Sequence, residues 1–93
     1  MKIKIICLTE KAIPIIKKVS KQKQKGTKIT FYEDKSVNKW VMLMKFNIIL
    51  DKIYKLNPDY MNKSYNDFIM DTLKKEGLTK RDYQVLINGV LVK

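Results

Sequence analysis

The groups able to do chemistry in this chain are one thiol, nine side-chain carboxylates and a large excess of ammonium groups, because histidine is absent. Without histidine the commonest general base and transition-metal ligand is missing. Cys7 is the only cysteine, so it has no second thiol with which to form a zinc site or an internal disulfide. The three glycines, Gly26, Gly77 and Gly89, are isolated and form no glycine-rich phosphate loop. The unusual stretch is Lys17–Lys28 (KKVSKQKQKGTK), which holds six lysines and no acid. Ammonium groups at that density make strong but geometrically loose phosphate contacts, and a basic patch is the electrostatic footprint of polyanion binding.

The net charge of +11 has two sources. Of 20 basic residues only Arg81 is arginine, and the chain has 12 isoleucines, six asparagines and a single alanine, Ala12. An AT-rich coding sequence writes that composition, so part of the basicity implies no partner. The distribution says more. Residues 1–28 carry nine lysines against one acid, Glu10, for a net +8, while the remaining 65 residues carry only +3. Coding bias alone would spread the lysines evenly, so the asymmetry points to a polyanion-facing surface.

Two catalytic readings have footholds. MKIKIICLTEKAIPIIKK resembles the start of the phosphotransferase-system IIB proteins, in which a cysteine ends the first strand before a phosphate-binding loop. Of the small and hydroxyl residues of that loop, Leu8–Ile13 offers only Thr9 and Ala12. Carboxylates at strand ends can also hold a divalent metal, as in the small ferredoxin-like endoribonucleases. Here Glu10 lies just past the first strand and Glu33/Asp34 close the second, but a third ligand and a base are missing. The expectation is a protein with no enzymatic activity, cofactor or metal.

The elements that must position the lysines and aromatics can be read in outline. Lys2–Leu8 alternates and then becomes continuously apolar, predicting a strand inside a sheet. A helix should begin near Lys11–Ile13, with Pro14 in its first turn, and run to a C-terminal stop at Gly26. On it Ala12, Ile15, Ile16 and Val19 share one face, while Lys11, Lys17, Lys18, Lys21 and Lys25 form a stripe on the other. Lys28–Asp34 predicts a second strand and Asp34–Lys39 a turn. Trp40–Phe46 (WVMLMKF) is apolar on every side, so periodicity does not separate a returning strand from a helix. The hairpin is favoured, because a helix over Val37–Leu56 would need burial all round.

Asn47 is placed to cap a helix carrying Ile49, Ile53 and Leu56. Ser64 and Asp67 resemble a capping box for a helix over Tyr65–Glu76, and Gly77-Leu78 predicts a Schellman ending. In Tyr83–Lys93 the Asn88-Gly89 pair predicts a type I′ hairpin. The result is one small α/β domain over residues 1–93, an α+β fold in ferredoxin-like βαββαβ order. The alternative is βαβ followed by a long helix, a second helix and a C-terminal hairpin.

If the first three strands form one sheet, Lys2 and Lys4 share a face that Tyr32 can join, with Trp40 across the hairpin. Lysines with exposed aromatics on a sheet can stack unpaired bases. The functional expectation is therefore a small basic protein binding DNA or RNA without sequence specificity. Lys11, Lys17, Lys18, Lys21, Lys25 and Lys28 would meet phosphates, with Tyr32 and Trp40 available for stacking. The alternative is a protein-binding inhibitor, encoded by a phage or mobile element, that docks on an acidic surface of a nucleic-acid enzyme or defence system. The longest apolar neighbourhood, Trp40–Leu50, is too short and interrupted for a membrane span, and the N-terminus is too charged for a signal peptide. A cytoplasmic protein is expected, in the host cytoplasm if phage-encoded.

Overall fold

The structure is a computed structural model and describes residues 2–22, 26–56 and 70–92. In chain order it contains β1 (Lys2–Cys7), α1 (Ala12–Ser20), β2 (Thr27–Asp34), β3 (Lys39–Phe46), α2 (Ile48–Leu56), β4 (Tyr83–Ile87) and β5 (Val90–Leu91). Residues 70–75 are also helical and lead into Gly77. The five strands form one antiparallel sheet in the order β2-β3-β1-β4-β5. The fold is α+β.

Trp40–Phe46 lies within β3, paired along its whole length with β2, so the alternative of a long helix after the second strand is corrected. The physical reason is burial of Met42, Met44 and Phe46 on one face and of Val41 on the other. Met42, Met44 and Phe46 face the helices and are at most 7% exposed, while Val41, on the opposite face, is 0% exposed. A strand inside a sheet buries alternate residues in two directions, which suits a segment with no polar side. The β2–β3 loop is shaped by Asp34, whose carboxylate accepts from the Ser36 N–H (3.0 Å) and hydroxyl (2.6 Å). Asn38 closes the loop at φ 57°.

The core lies between the sheet and the helices on one of its faces. Ala12, Ile16 and Val19 of α1 and Leu73 of the 70–75 stretch pack against Ile3, Ile5, Met42, Met44 and Val85 of the sheet. α1 starts where expected, but it ends at Ser20 with Lys21 as its C-cap, six residues short of Gly26. The expected helical positions of Lys23 and Lys25 lie outside the described residues. So do the Ser64/Asp67 capping box and the first turns of the Tyr65–Glu76 helix.

The end of that helix is described, and its hydrogen bonds are those of a Schellman motif. The Leu78 N–H donates to the Leu73 carbonyl (3.0 Å) and the Gly77 N–H to the Lys74 carbonyl (3.0 Å), with Gly77 at φ +87°. Asn88 and Gly89 both have positive φ, 50° and 81°, as a type I′ turn requires. α2 begins directly after Asn47, and among its described side chains Ile48, Ile49, Ile53 and Leu56 are exposed. Among the described residues no helix is long and apolar enough to cross a membrane.

Candidate nucleic-acid interface

Successive residues of a strand point to opposite faces, and directly opposed antiparallel residues share a face. The register therefore sorts the sheet into a helix-covered face and a second face. On the second face Lys28 of β2 is opposite Lys45 of β3, and Lys45 is opposite Lys2 of β1. Three exposed lysines thus form a row across three adjacent strands. None of them takes part in an ion pair among the described residues. Opposed side chains leave the backbone only ~4.5–5.5 Å apart, and like charges so placed destabilise a sheet. At about 7 Å in water each such pair costs about 0.6 kcal/mol.

The next row along the strands is Thr30, Leu43, Lys4 and Leu86, followed by Tyr32, Val41, Ile6 and Gln84. Lys2, Lys4, Tyr32, Leu43, Leu86 and Gly89 together line an open groove of about 340 Å³. The β4–β5 turn is held beside it: the Lys2 N–H donates to Asn88 Oδ1 (3.1 Å), and the Asn88 N–H returns to the Lys2 carbonyl (2.9 Å). Beyond the Tyr32 row lies Asp34, which accepts a charged hydrogen bond from Lys4 Nζ (2.5 Å). Lys4 on β1 and Asp34 on β2 thus pair across β3, which lies between them.

The sequence-predicted residues divide between two sides of the molecule. Tyr32 joins Lys2 and Lys4 on the second face as expected, and Lys28 lies in the lysine row. Trp40 instead faces the helix side, stacked on Phe31 with centroids 5.1 Å apart and rings 10° from parallel. It is therefore not in a position to share bases with Tyr32. The lysines of α1 and its N-cap are also on the helix side of the sheet, and two of them reach the 70–75 helix through exposed contacts. Lys11 Nζ donates to the Gly77 carbonyl (3.1 Å), and Lys18 Nζ lies 3.4 Å from Glu76 Oε1. Both lie at the C-terminal end of the 70–75 helix, where positive charge complements the exposed carbonyls. Lys17 and Lys21 are exposed, and Lys25 lies outside the described residues. Sequence reading missed Lys45, which registered only as an interruption of an apolar run. The signal that finds it is strand alternation, available once Trp40–Phe46 is known to be a strand.

The catalytic footholds gain no support. Cys7 is 4% exposed, and burial pushes its thiol up to about 11, far from the thiolate a nucleophile needs. Glu33 faces the helix side and Asp34 the other. Among the described residues no three acidic, thiol or imidazole groups come together as a metal site.

Two carboxylates have depressed pKa values. The Lys4 hydrogen bond, then the Ser36 hydroxyl, lower Asp34 to about 2. Asp82, which is buried, is lowered by the Thr79 N–H (3.0 Å) and then by the Thr9 hydroxyl (2.8 Å). A depressed folded-state pKa gives stability that is present above the unfolded value near 4 and is lost as pH falls through the folded value. Through Asp34 the melting temperature should therefore fall between pH about 4 and about 2, and Asp82 adds to the decline below about 4. Asp82→Asn should melt lower at pH 6 and show a shallower acid decline, and melts by circular dichroism across that range check it. Against known proteins, the chain matches no family model, no curated protein and no solved structure.

Proposed function

We propose that this is a small non-enzymatic protein that binds nucleic acid mainly through lysine–phosphate contacts on the face of its sheet. One observation carries the reading: Lys28, Lys45 and Lys2 stand in register across three strands without a counter-ion among the described residues. A polyanion laid across the row would remove the mutual repulsion of the three ammonium groups. Lysines supply charge without the bidentate geometry by which arginine reads guanine, so binding should not depend on sequence.

The fold reading that goes with it is ferredoxin-like. It is supported by β1 and β3 lying between β4 and β2 with every neighbour antiparallel, β5 being an addition at one edge.

The test is a salt titration of labelled DNA and RNA. With three to four phosphates engaged, log K should fall against log[salt] with a slope of about −2 to −3 on single strands, or about −3 to −4 on duplex. Binding weaker than roughly 10 μM at ~50 mM salt would count against the proposal, because it falls below ordinary non-specific affinity. The competing reading, an inhibitor docking on a protein, has the exposed apolar residues of α2 on its side. It requires a complex that persists when nucleic acid has been digested.

A further inference from the structure

The lysine row does not lie on a uniformly polar surface. The adjoining groove is lined by half-buried Leu43, Leu86 and Tyr32 together with Lys2 and Lys4. Apolar and aromatic side chains beside phosphate-binding lysines suit a ligand that carries both flat apolar rings and a charged backbone. Shape then separates single strands from duplexes. Five strands at ~4.8 Å spacing make a sheet about 19 Å wide, whereas the major groove of B-DNA is about 12 Å wide and admits only a helix or a two-stranded ribbon. A duplex can meet this face only along its phosphates, leaving the groove unfilled. Unpaired bases can enter it.

We infer that the ligand of this face is single-stranded nucleic acid, its phosphates following Lys28, Lys45 and Lys2 while its bases enter the groove over Leu43 and Leu86 and stack on Tyr32. The inference rests on the nucleic-acid reading above and adds a ligand class and a polarity. From the lysine row to the Leu43 row is two residues, about 6.8 Å along a strand, and Tyr32 lies one such step further. The far end of the face is closed to phosphates by Asp34, which already occupies Lys4. The backbone therefore runs across the strands at the Lys45 end, and the bases point toward Asp34. Trp40, on the opposite face of the sheet, takes no part.

The experiment uses a fluorescein-labelled single strand of ~12 nucleotides and the duplex of the same sequence, a length within the usual range of single-strand sites. At ~50 mM salt the single strand should bind at least about tenfold tighter than the duplex. Tyr32→Leu keeps apolar volume but removes the ring. It should weaken single-strand binding roughly five- to hundredfold, the range for losing one base–aromatic stack, and leave duplex binding within about twofold. Tyr32→Phe should bind as the parent does. Emission from the sole tryptophan, Trp40, should not change on binding. Equal binding of the two probes, or full single-strand affinity in Tyr32→Leu, overturns the single-strand site and leaves the nucleic-acid reading standing. Strong quenching of Trp40 moves the site to the other face and likewise overturns it. Failure of both probes to bind overturns the nucleic-acid reading as well.

Discussion

Lys45→Glu should make the protein more stable and weaken its binding to nucleic acid at least about tenfold. Lys45 is the centre of the row, opposite both Lys28 and Lys2. Reversing its charge replaces two repulsive cross-strand pairs with two attractive ones. At roughly 0.2–1 kcal/mol per cross-strand pair the gain is about 0.5–2 kcal/mol. For a chain of this size that raises the melting temperature by about 3–10 °C. Salt should shrink the gain, since exposed charges are screened beyond about 8–10 Å at physiological ionic strength.

Binding should move in the other direction. Three phosphate-facing charges become a net single charge with a carboxylate at the centre. The salt slope on single strands should drop by about 0.7 or more, and affinity by at least tenfold. Opposite signs in one variant separate a functional role from a structural one. If Lys45 were an ordinary solvated lysine, stability would rise and binding would not change. Paired melting curves and anisotropy titrations read both.

The largest effect on stability should come from Leu73→Ala. Leu73 is 0% exposed and packs into the same cluster as Ile3, Ile5, Ile16, Met42 and Met44. It also supplies the carbonyl that accepts the Leu78 N–H, so its position is set by both the Schellman ending and the sheet. Truncating a buried leucine costs about 2–5 kcal/mol, counting lost transfer energy and the cavity left behind. A domain of this size has about 5–14 kcal/mol in total, so the melting temperature should fall by at least about 10 °C. Ile53→Ala on α2 is the control. Ile53 is 43% exposed, and its loss should change stability by no more than about 0.5 kcal/mol. Urea denaturation of the two variants checks the contrast. A large cost at Ile53 would mean that α2 is packed against something else.

Features decided by a few neighbouring residues were legible in the sequence. Alternation in Lys2–Cys7, the cap position of Asn47, the Gly77-Leu78 ending and the Asn88-Gly89 turn each follow from local backbone preferences or side-chain periodicity. The extent of α1 was legible only at its start, where Pro14 restricts it. No residue between Ser20 and Gly26 carries a comparably strong stop signal, and the helix ends early at Lys21.

The candidate site was less legible, because it is made by register. Lys28, Lys45 and Lys2 are far apart in the chain and meet only when β3 lies between β2 and β1 in one alignment. A shift of one residue would have sent Lys45 to the opposite face. The same alternation separates Tyr32 from Trp40, which composition alone groups as two available aromatics. It also divides WVMLMKF into Met42 and Met44 for the core and Val41 and Lys45 for the other face. Composition and periodicity are enough to show that the chain is basic, asymmetrically charged and built of short strands and amphipathic helices. Which lysines stand together follows only from the strand order and register, since charge counts along a chain carry no information about which strands become neighbours. On α1, Lys11 and Lys18 reach the Gly77 carbonyl and Glu76, while a second set of lysines stands together on the sheet.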